Sequence, residues 1–320
     1  MEDLTERAAQ RLYEVSRDCY APALAAFATQ WLDELAERPD SVALCLGRDG
    51  LAPFLAARKL LRTHPRRFRH VQPRSVQLAY VSRALAQGAA ADTGQAVLLD
   101  RYLCMRGIAE GGSLMLVDVG VHGSIQDCLQ RIYPERYVRG HYLVLRRRNG
   151  DPNGTRKRGF LADLDVAPHS PLAISPSWPT PPGWDVGGAL RCGDPFFLRP
   201  RSVHVLEDLW NGLGEAAVGF QVLPDGRVVV MRGRADHVLT LSPASTITPM
   251  NRGVLKRAAL RGVVDGVARL RRSPDGGRAA VGALAAWLRE LEYPSRADAF
   301  IVDALVRRRR QGRETLDFET

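Results

Sequence analysis

The 320-residue sequence lacks paired cysteines, long apolar runs and, almost entirely, lysine. Its five cysteines are scattered singly and none has Cys-x-x-Cys spacing, so neither a zinc site nor a disulfide framework is indicated. No apolar run reaches the roughly 18 residues that a membrane-spanning helix needs. The first ten residues, MEDLTERAAQ, include acidic side chains and no apolar signal-peptide core. We therefore expect a cytoplasmic protein without membrane insertion.

Lysine occurs only at positions 59, 157 and 256, although lysine and arginine together number 45 and the net charge is +10. So strong an arginine bias is typical of a GC-rich coding sequence. No nucleic-acid-binding motif accompanies the charge, so we expect no nucleic acid as a partner. A basic protein can still attract a polyanionic small substrate by electrostatic steering.

Short apolar runs alternate with segments of helical periodicity. The strand-like runs are residues 41–46, 76–81, 114–117 and 141–145, and the helical segments are 4–37 (with a break at Cys19-Tyr20 and a second start at Pro22), 51–61 and 125–132. This alternation predicts a parallel sheet with right-handed crossovers.

Farther along the chain the patterns are less regular. Residues 146–158 are predicted to be a basic loop, residues 218–231 a hairpin and residues 251–310 mostly helix. We expect an α/β domain over residues 1–245, which includes a proline-rich loop at 160–200, and a helical C-terminal region over residues 246–320.

The segment after the third strand carries the strongest local signal. Asp118 ends the apolar run, and Gly120, Gly123 and Ser124 lead into a helix. Backbone N–H groups at a helix N-terminus bind phosphate, and Asp118 can accept hydrogen bonds from sugar hydroxyls. An ordinary tight turn with a capping serine explains the same pattern, and the sequence leaves both interpretations open.

Two further strand ends carry polar residues. Gly47-Arg48-Asp49-Gly50 follows the first strand, and Ser82-Arg83 follows the second. An arginine can grip a diphosphate with two parallel hydrogen bonds. Asp49 is either the N-cap of the next helix or a carboxylate of the site.

Taken in order, these motifs resemble a known family. The sequence contains P-x-L-x-x-F…W-L at residues 22–32, RDG at 48–50, YVSRAL at 80–85, VDVGVHGSIQ at 117–126, GHYL at 140–143 and VLEDLW at 205–210. Over roughly residues 20–230 it resembles the phosphoribosyltransferase domain of bacterial capsule and O-antigen ribofuranosyltransferases. It is also similar to the stand-alone phosphoribosyltransferases of ribostamycin- and neomycin-type aminoglycoside biosynthesis.

The resemblance implies a type I phosphoribosyltransferase-like fold and a specific reaction. Phosphoribosyl pyrophosphate, with Mg²⁺ held mainly by its diphosphate, would donate ribose 5-phosphate to a sugar hydroxyl with inversion, giving a β-ribofuranoside 5-phosphate and releasing pyrophosphate. A separate phosphatase would then act on the product. An aminoglycoside pseudodisaccharide such as neamine or paromamine is the favoured acceptor, and a capsule or O-antigen glycan is the next.

The resemblance also assigns roles to residues. It places the following at the donor: Gly47, Arg48, Gly50, Ser82, Arg83, Gly120, Val121, His122, Gly123, Ser124, Ile125 and Gln126. Asp49 is the first candidate for the general base and Asp118 the second, with His122 in the same loop. Trp178, Trp184 and Asp185 could cover the acceptor, or they could only attach a long loop to the body. Glu207 could reach the acceptor or form a structural ion pair.

One departure from the nucleobase phosphoribosyltransferases is visible. Those enzymes have two adjacent acids in the donor loop, whereas here Asp118 is followed by Val119. This argues against a nucleobase acceptor. It also favours the alternative of a non-catalytic module that keeps the fold and senses a phosphorylated ligand.

Overall fold

The computed structural model describes residues 2–47, 49–108, 112–120, 122–148, 150–165, 210, 216–233 and 249–270, with 283, 284, 286 and 287. The helices are α1 (Glu2–Val15), α2 (Ala21–Ala36), α3 (Leu51–Thr63), α4 (Arg83–Ala91), α5 (Thr93–Cys104), α6 (Ser124–Ile132) and α7 (Pro249–Arg269). The strands are β1 (Ser41–Leu46), β2 (Val76–Ala79), β3 (Ser113–Asp118), β4 (Val138–Arg147), β5 (Lys157–Asp165), β6 (Ala216–Val222) and β7 (Val228–Gly233). Among these helices none is long and apolar enough to cross a membrane.

Strands β1 to β5 form one sheet in the order β2-β1-β3-β4-β5, and every neighbouring pair is parallel. Strands β6 and β7 form a separate antiparallel hairpin. The chain is therefore α/β, with a parallel sheet flanked by helices. The four strands and the hairpin predicted from the sequence are confirmed.

Alternate residues of the central strands face two different cores. On β1, Ala43 and Cys45 join a core formed with α1, α2, α3 and α7. Leu44 and Leu46 join a second core formed with α4, α5, α6 and the hairpin. Because both faces of the sheet are covered, β1 is an unbroken apolar run rather than an alternating one.

The N-terminal helices form one layer with α7. A π-helical turn, Ser16–Tyr20, joins α1 to α2 at the predicted break. Helix α7 packs closely on this turn because it has glycine at the contact: a Cβ on Gly266 would lie 2.4 Å from the carbonyl oxygen of Arg17. Helix α7 confirms the predicted helix as far as Arg269. It shares the core of the N-terminal helices, and the expected boundary at residues 245–246 stays a prediction.

The fifth strand departs from the sequence prediction. The expected basic loop at residues 146–158 contains the end of β4 and the start of β5. Parallel strands usually need a connection of a dozen or more residues, most often a helix. Residues 148–156 make the crossover here, and the described ones among them, 148 and 150–156, include a short 3-10 turn, Gly154–Arg156, but no α-helix. The sequence of this segment therefore lacks the helical periodicity by which a crossover is usually predicted.

Candidate functional site

The carboxyl ends of β1 and β3 lie side by side at the point where the strand order reverses. From β1 the chain continues to β2 on one side, while β3 lies on the other side. In open parallel sheets of this order, ligands bind in the crevice outside the carboxyl ends of the strands at this switch point. The two predicted loops, after residues 46 and 118, are therefore neighbours.

The turn after β1 is tight, and its backbone is held to both adjacent strands. The N–H of Gly47 donates to the carbonyl of Ala79 at the end of β2 (2.6 Å), and the N–H of Gly50 donates to the carbonyl of Leu46 (2.8 Å). A Cβ on Gly50 would lie 2.5 Å from the Leu46 nitrogen, so no larger residue fits there without a backbone shift. Arg48 lies outside the described residues.

Asp49 lies in the turn between β1 and α3 and does not occupy the N-cap of α3. The N-cap is Gly50, and no side chain makes a capping hydrogen bond there. One carboxylate oxygen of Asp49, Oδ1, is buried. Burial and the charge of Asp49 raise the pKa of the Tyr20 hydroxyl, so the carboxylate lies near the π-helical turn. Asp49 is therefore not the helix cap, and its role as a carboxylate of the site stays a prediction.

Asp118 ends β3 and is 8% exposed. Its Oδ1 accepts a hydrogen bond from the N–H of Val119 (2.9 Å). Burial and the negative charge of Asp118 raise the pKa of the Cys45 thiol on β1 and of the Tyr142 hydroxyl on β4. The carboxylate thus lies near side chains of both neighbouring strands, at the carboxyl end of β3.

The glycines of the β3–α6 loop pack against β4. Gly120 has a φ of 138°, and a Cβ there would lie 2.0 Å from the carbonyl oxygen of Val144. Gly123 is the left-handed N-cap of α6, and a Cβ there would lie 2.8 Å from the Tyr142 hydroxyl oxygen. Both glycines are thus required by close packing inside the protein, in addition to any approach by a ligand. Val121 lies outside the described residues.

The first turn of α6 offers hydrogen-bond donors to the crevice. A helix leaves its first backbone N–H groups without partners inside the helix. No other residue in the described ranges accepts from the N–H of Gly123, Ser124 or Ile125, or bonds to the Ser124 hydroxyl. These groups suit an anion, because they point donors outward at the positive end of the helix dipole.

Arginine side chains surround the same crevice. Burial is the main reason that the pKa of His122 lies below its ordinary value, although a hydrogen bond of its Nδ1 with the Arg146 carbonyl oxygen opposes the shift. The positive charges of Arg148, Arg146 and Arg83 lower this pKa further, so these three arginines lie in the neighbourhood of His122. Arg83 and Arg148 are exposed, and within the described part of the chain neither guanidinium has a hydrogen bond or ion pair.

Two side chains that were predicted to bind phosphoribosyl pyrophosphate form hydrogen bonds within the protein instead. The Ser82 hydroxyl caps α4 by accepting from the N–H of Leu85 (3.1 Å), and it donates to the carbonyl of Ala217 in the hairpin (2.7 Å). The Gln126 side chain is fully buried, and its Oε1 accepts from the Tyr142 hydroxyl (2.9 Å). Its Nε2 donates to the Val138 carbonyl (3.2 Å). Neither side chain is available to bind phosphoribosyl pyrophosphate in this structure.

Sequence reasoning missed Arg146, Arg148 and Lys157. The two arginines follow an apolar strand, so the strand-end argument that identified Arg83 would also have found them. Lys157 is fully buried beneath the β3–α6 loop. The scarcity of lysine singles it out in the sequence, but its burial could not be foreseen, because lysine is almost never fully buried unless it is paired.

Trp178, Trp184, Asp185 and Glu207 lie outside the described residues. From the VLEDLW motif only Trp210 is described: it is fully buried, stacks on Tyr20 with ring centroids 3.6 Å apart, and donates from Nε1 to the Ser16 hydroxyl (2.8 Å). The described residues contain no group of three or more His, Cys, Asp or Glu side chains that could hold a metal ion. Mg²⁺ is often held by one or two carboxylates together with substrate phosphates, and its binding here, mainly by the donor diphosphate, stays a prediction.

No protein-family model matches the sequence, and no curated protein gives a significant match. The resemblance to the phosphoribosyltransferases therefore rests on the motifs, and the function has to be argued from the site.

Proposed function

We propose that this chain transfers the 5-phosphoribosyl group of phosphoribosyl pyrophosphate to a hydroxyl of a sugar-type acceptor. The product is a β-ribofuranoside 5-phosphate, formed with inversion, and pyrophosphate is released. The favoured acceptor is an aminoglycoside pseudodisaccharide such as neamine or paromamine, and a capsule or O-antigen glycan is the next. A separate phosphatase would act on the product. The type I phosphoribosyltransferase-like fold belongs to the same proposal.

One observation supports the proposal: carboxylates and guanidiniums follow the strands next to the switch point of the sheet. Asp118 ends β3, Asp49 lies in the turn after β1, and Arg83 and Arg148 are near enough to lower the pKa of His122 in the β3–α6 loop. The donor carries a diphosphate at one end and a 5-phosphate at the other. A site for it needs cationic or N–H donors for both, and a carboxylate near the sugar.

The residues divide the chemistry among them. Arg83, with Arg48, would bind the departing pyrophosphate, and the N–H groups at the start of α6 would bind the 5-phosphate. The bond between C1 and the pyrophosphate oxygen breaks while a bond from the acceptor oxygen to C1 forms. Asp49 would take the acceptor's proton, because a hydroxyl is a weak nucleophile. When bound, Mg²⁺ would neutralise charge on the diphosphate.

The direct test is to incubate the purified chain with phosphoribosyl pyrophosphate, Mg²⁺ and paromamine, and to measure pyrophosphate release. The expected product is heavier than paromamine by one phosphoribosyl group in the mass spectrum. Reactions without acceptor and with an Asp49→Asn variant are the controls. Failure to release pyrophosphate with aminoglycoside and glycan acceptors alike would reject the proposed activity.

A second candidate function has one observation in its favour. Val119, at the position of the second acid in nucleobase phosphoribosyltransferases, is 3% exposed and belongs to the core. A module that only senses a phosphorylated ligand needs no second acid. Calorimetry separates the two functions: the sensor would bind phosphoribosyl pyrophosphate tightly but release no pyrophosphate with any acceptor.

A further inference from the structure

Lys157 is the centre of a buried charge cluster beneath the β3–α6 loop. Its side chain is fully buried, and Nζ lies 2.8 Å from Asp127 Oδ2 in α6 and 2.7 Å from Asp151 Oδ2 in the β4–β5 crossover. Nζ also donates to the carbonyl oxygen of His122 at 3.3 Å. The Asn153 side chain donates to Asp127 Oδ1 (3.0 Å). One ammonium group thus connects the loop, the helix and the crossover.

The choice of lysine here is informative, because the sequence has only three lysines among 45 lysine and arginine residues. An ammonium group is compact and can aim three donors at acceptors on three different elements. A guanidinium is planar and directs its donors as a rigid fork. The surroundings also leave no room, since a Cβ on Gly123 would lie 3.0 Å from Lys157 Cε. The geometry of this site therefore suits lysine better than arginine, which is the usual basic residue of this chain.

The bond to His122 sets the orientation of the next peptide. A trans peptide unit is planar, and its C=O and N–H point in opposite directions. Because the His122 carbonyl points at the buried ammonium, the N–H of Gly123 points away from it. Gly123 then enters α6 with a left-handed φ of 65°. We propose that Lys157 is a positioning residue, which holds the N–H of Gly123 outward for the 5-phosphate of the donor.

The cluster acts by orientation rather than by charge. One lysine with two aspartates has a net charge of −1, which by itself would repel a phosphate. Attraction of the anion is left to the exposed Arg83 and Arg148 at the rim. This inference rests on the proposed function, because it assigns the 5-phosphate to that loop.

The experiment compares three single variants with the wild type. Lys157→Met removes the bond to His122. Asp151→Asn breaks one ion pair of the same ammonium but keeps that bond, and Lys59→Met replaces a lysine on α3, away from the site. For each, calorimetry gives the Kd of ribose 5-phosphate, steady-state kinetics give KM for phosphoribosyl pyrophosphate and kcat, and thermal unfolding gives Tm.

We expect Lys157→Met to weaken ribose 5-phosphate binding by roughly 10- to 100-fold, the worth of a hydrogen bond to a charged group. KM for phosphoribosyl pyrophosphate should rise in parallel, with a smaller change in kcat. Asp151→Asn should lower Tm but leave both affinities close to those of the wild type, and Lys59→Met should change neither. If Lys157→Met does not fold, the double variant Lys157→Met/Asp151→Asn takes its place. It removes the ammonium group together with the charge of Asp151, the more buried of the two carboxylates. The same loss of ribose 5-phosphate affinity is expected.

The other outcomes are distinguishable. Wild-type affinities in a Lys157→Met enzyme that still turns over would overturn the inference and leave the proposed function standing. The inference is also overturned if Asp151→Asn weakens binding as much as Lys157→Met, because the loss would then follow stability. If the wild type neither binds ribose 5-phosphate nor turns over phosphoribosyl pyrophosphate, the proposed function fails, and the inference fails with it.

Discussion

Arg139 and His141 lie in the amino-terminal half of β4. Glu34 of α2 forms an ion pair with Arg139, and its Oε2 lies 3.2 Å from the Nε2 of His141. At the carboxyl ends of the strands, Arg83 and Arg148 are exposed and have no ion pair within the described part of the chain. Both regions collect charges against the same sheet. In the first region the protein pairs an arginine with a carboxylate, whereas in the second the exposed arginines have no such partner among the described residues.

In the first cluster, the ion-pair partners change the pKa of the carboxyl group. Burial alone would raise the pKa of Glu34, but His141 and Arg139 outweigh it and lower this pKa below its ordinary value. A buried charge that is paired in this way serves the fold, because removing one partner leaves the other without compensation. Guanidiniums that the protein leaves exposed at a switch point can instead bind an anionic ligand. The following predictions compare residues that serve the fold with residues of the proposed site.

The largest effect is expected for Asp49→Asn. Asparagine keeps the shape of the side chain, so the fold and much of the donor affinity should survive. Turnover should fall by about 10²–10⁴, the usual worth of general-base catalysis. The measurement is kcat at saturating donor and acceptor. Near-normal turnover would leave Asp49 a structural role and transfer the base assignment to Asp118.

Glu34→Ala should have the largest effect on stability. It leaves Arg139 and His141 without their carboxylate in a largely buried place, which typically costs about 3–5 kcal/mol. Urea unfolding measures this loss, and the folded fraction should keep the wild-type KM for phosphoribosyl pyrophosphate. Arg83→Ala is the matched control from the rim: its stability should stay within about 0.5 kcal/mol of the wild type, as for other surface substitutions. Equal destabilisation by the two variants would remove the contrast between the regions.

Much of the fold could be predicted because its cause is local. The run SVALCL at residues 41–46 is apolar on both faces, and the structure buries it between two cores. Strand β5 could not be predicted, since it begins with Lys157 and Arg158 and follows a crossover without a regular helix. β5 pairs with β4, and this pairing depends on the whole sheet rather than on the local sequence of either strand.

The candidate site divides in the same way. Residues at strand ends, such as Asp118 and Arg83, follow from the rule that ligands bind where parallel strands end. The same rule did not explain why a particular residue type stands at each position. The resemblance assigns Gly123 to a phosphate, whereas the structure also packs it against Tyr142. A Gly123→Val variant would therefore disturb the loop whether or not a phosphate binds there, and it is a poor test of the site.

Arg83→Lys should have an intermediate effect. A lysine keeps the charge but loses the planar, two-pronged grip on a diphosphate. Affinity for phosphoribosyl pyrophosphate should fall by roughly tenfold or more, as for a hydrogen bond between charged groups, with little change for ribose 5-phosphate. Calorimetry with both ligands measures the difference. Equal losses for the two ligands would show that Arg83 does not hold the pyrophosphate group.

The smallest effects are expected for two serines at helix N-termini. Ser82 has both roles of its hydroxyl filled, by the N–H of Leu85 and the carbonyl of Ala217. Ser124, in the first turn of α6, makes no side-chain hydrogen bond within the described ranges. Ser82→Ala should therefore cost about 1 kcal/mol of stability, the usual loss of an N-cap, and leave donor affinity unchanged.

Ser124→Ala should do the reverse. Its stability should stay within about 0.5 kcal/mol of the wild type, because a hydroxyl without a protein partner contributes little to the fold. Ribose 5-phosphate should bind several-fold more weakly, since the lost hydroxyl is a donor to a charged oxygen. Chemical denaturation and calorimetry on the same two proteins measure both quantities. A Ser124→Ala protein that is destabilised as much as Ser82→Ala, with unchanged affinity, would make the start of α6 an ordinary capped turn. The 5-phosphate would then have to be sought among the arginines of the rim.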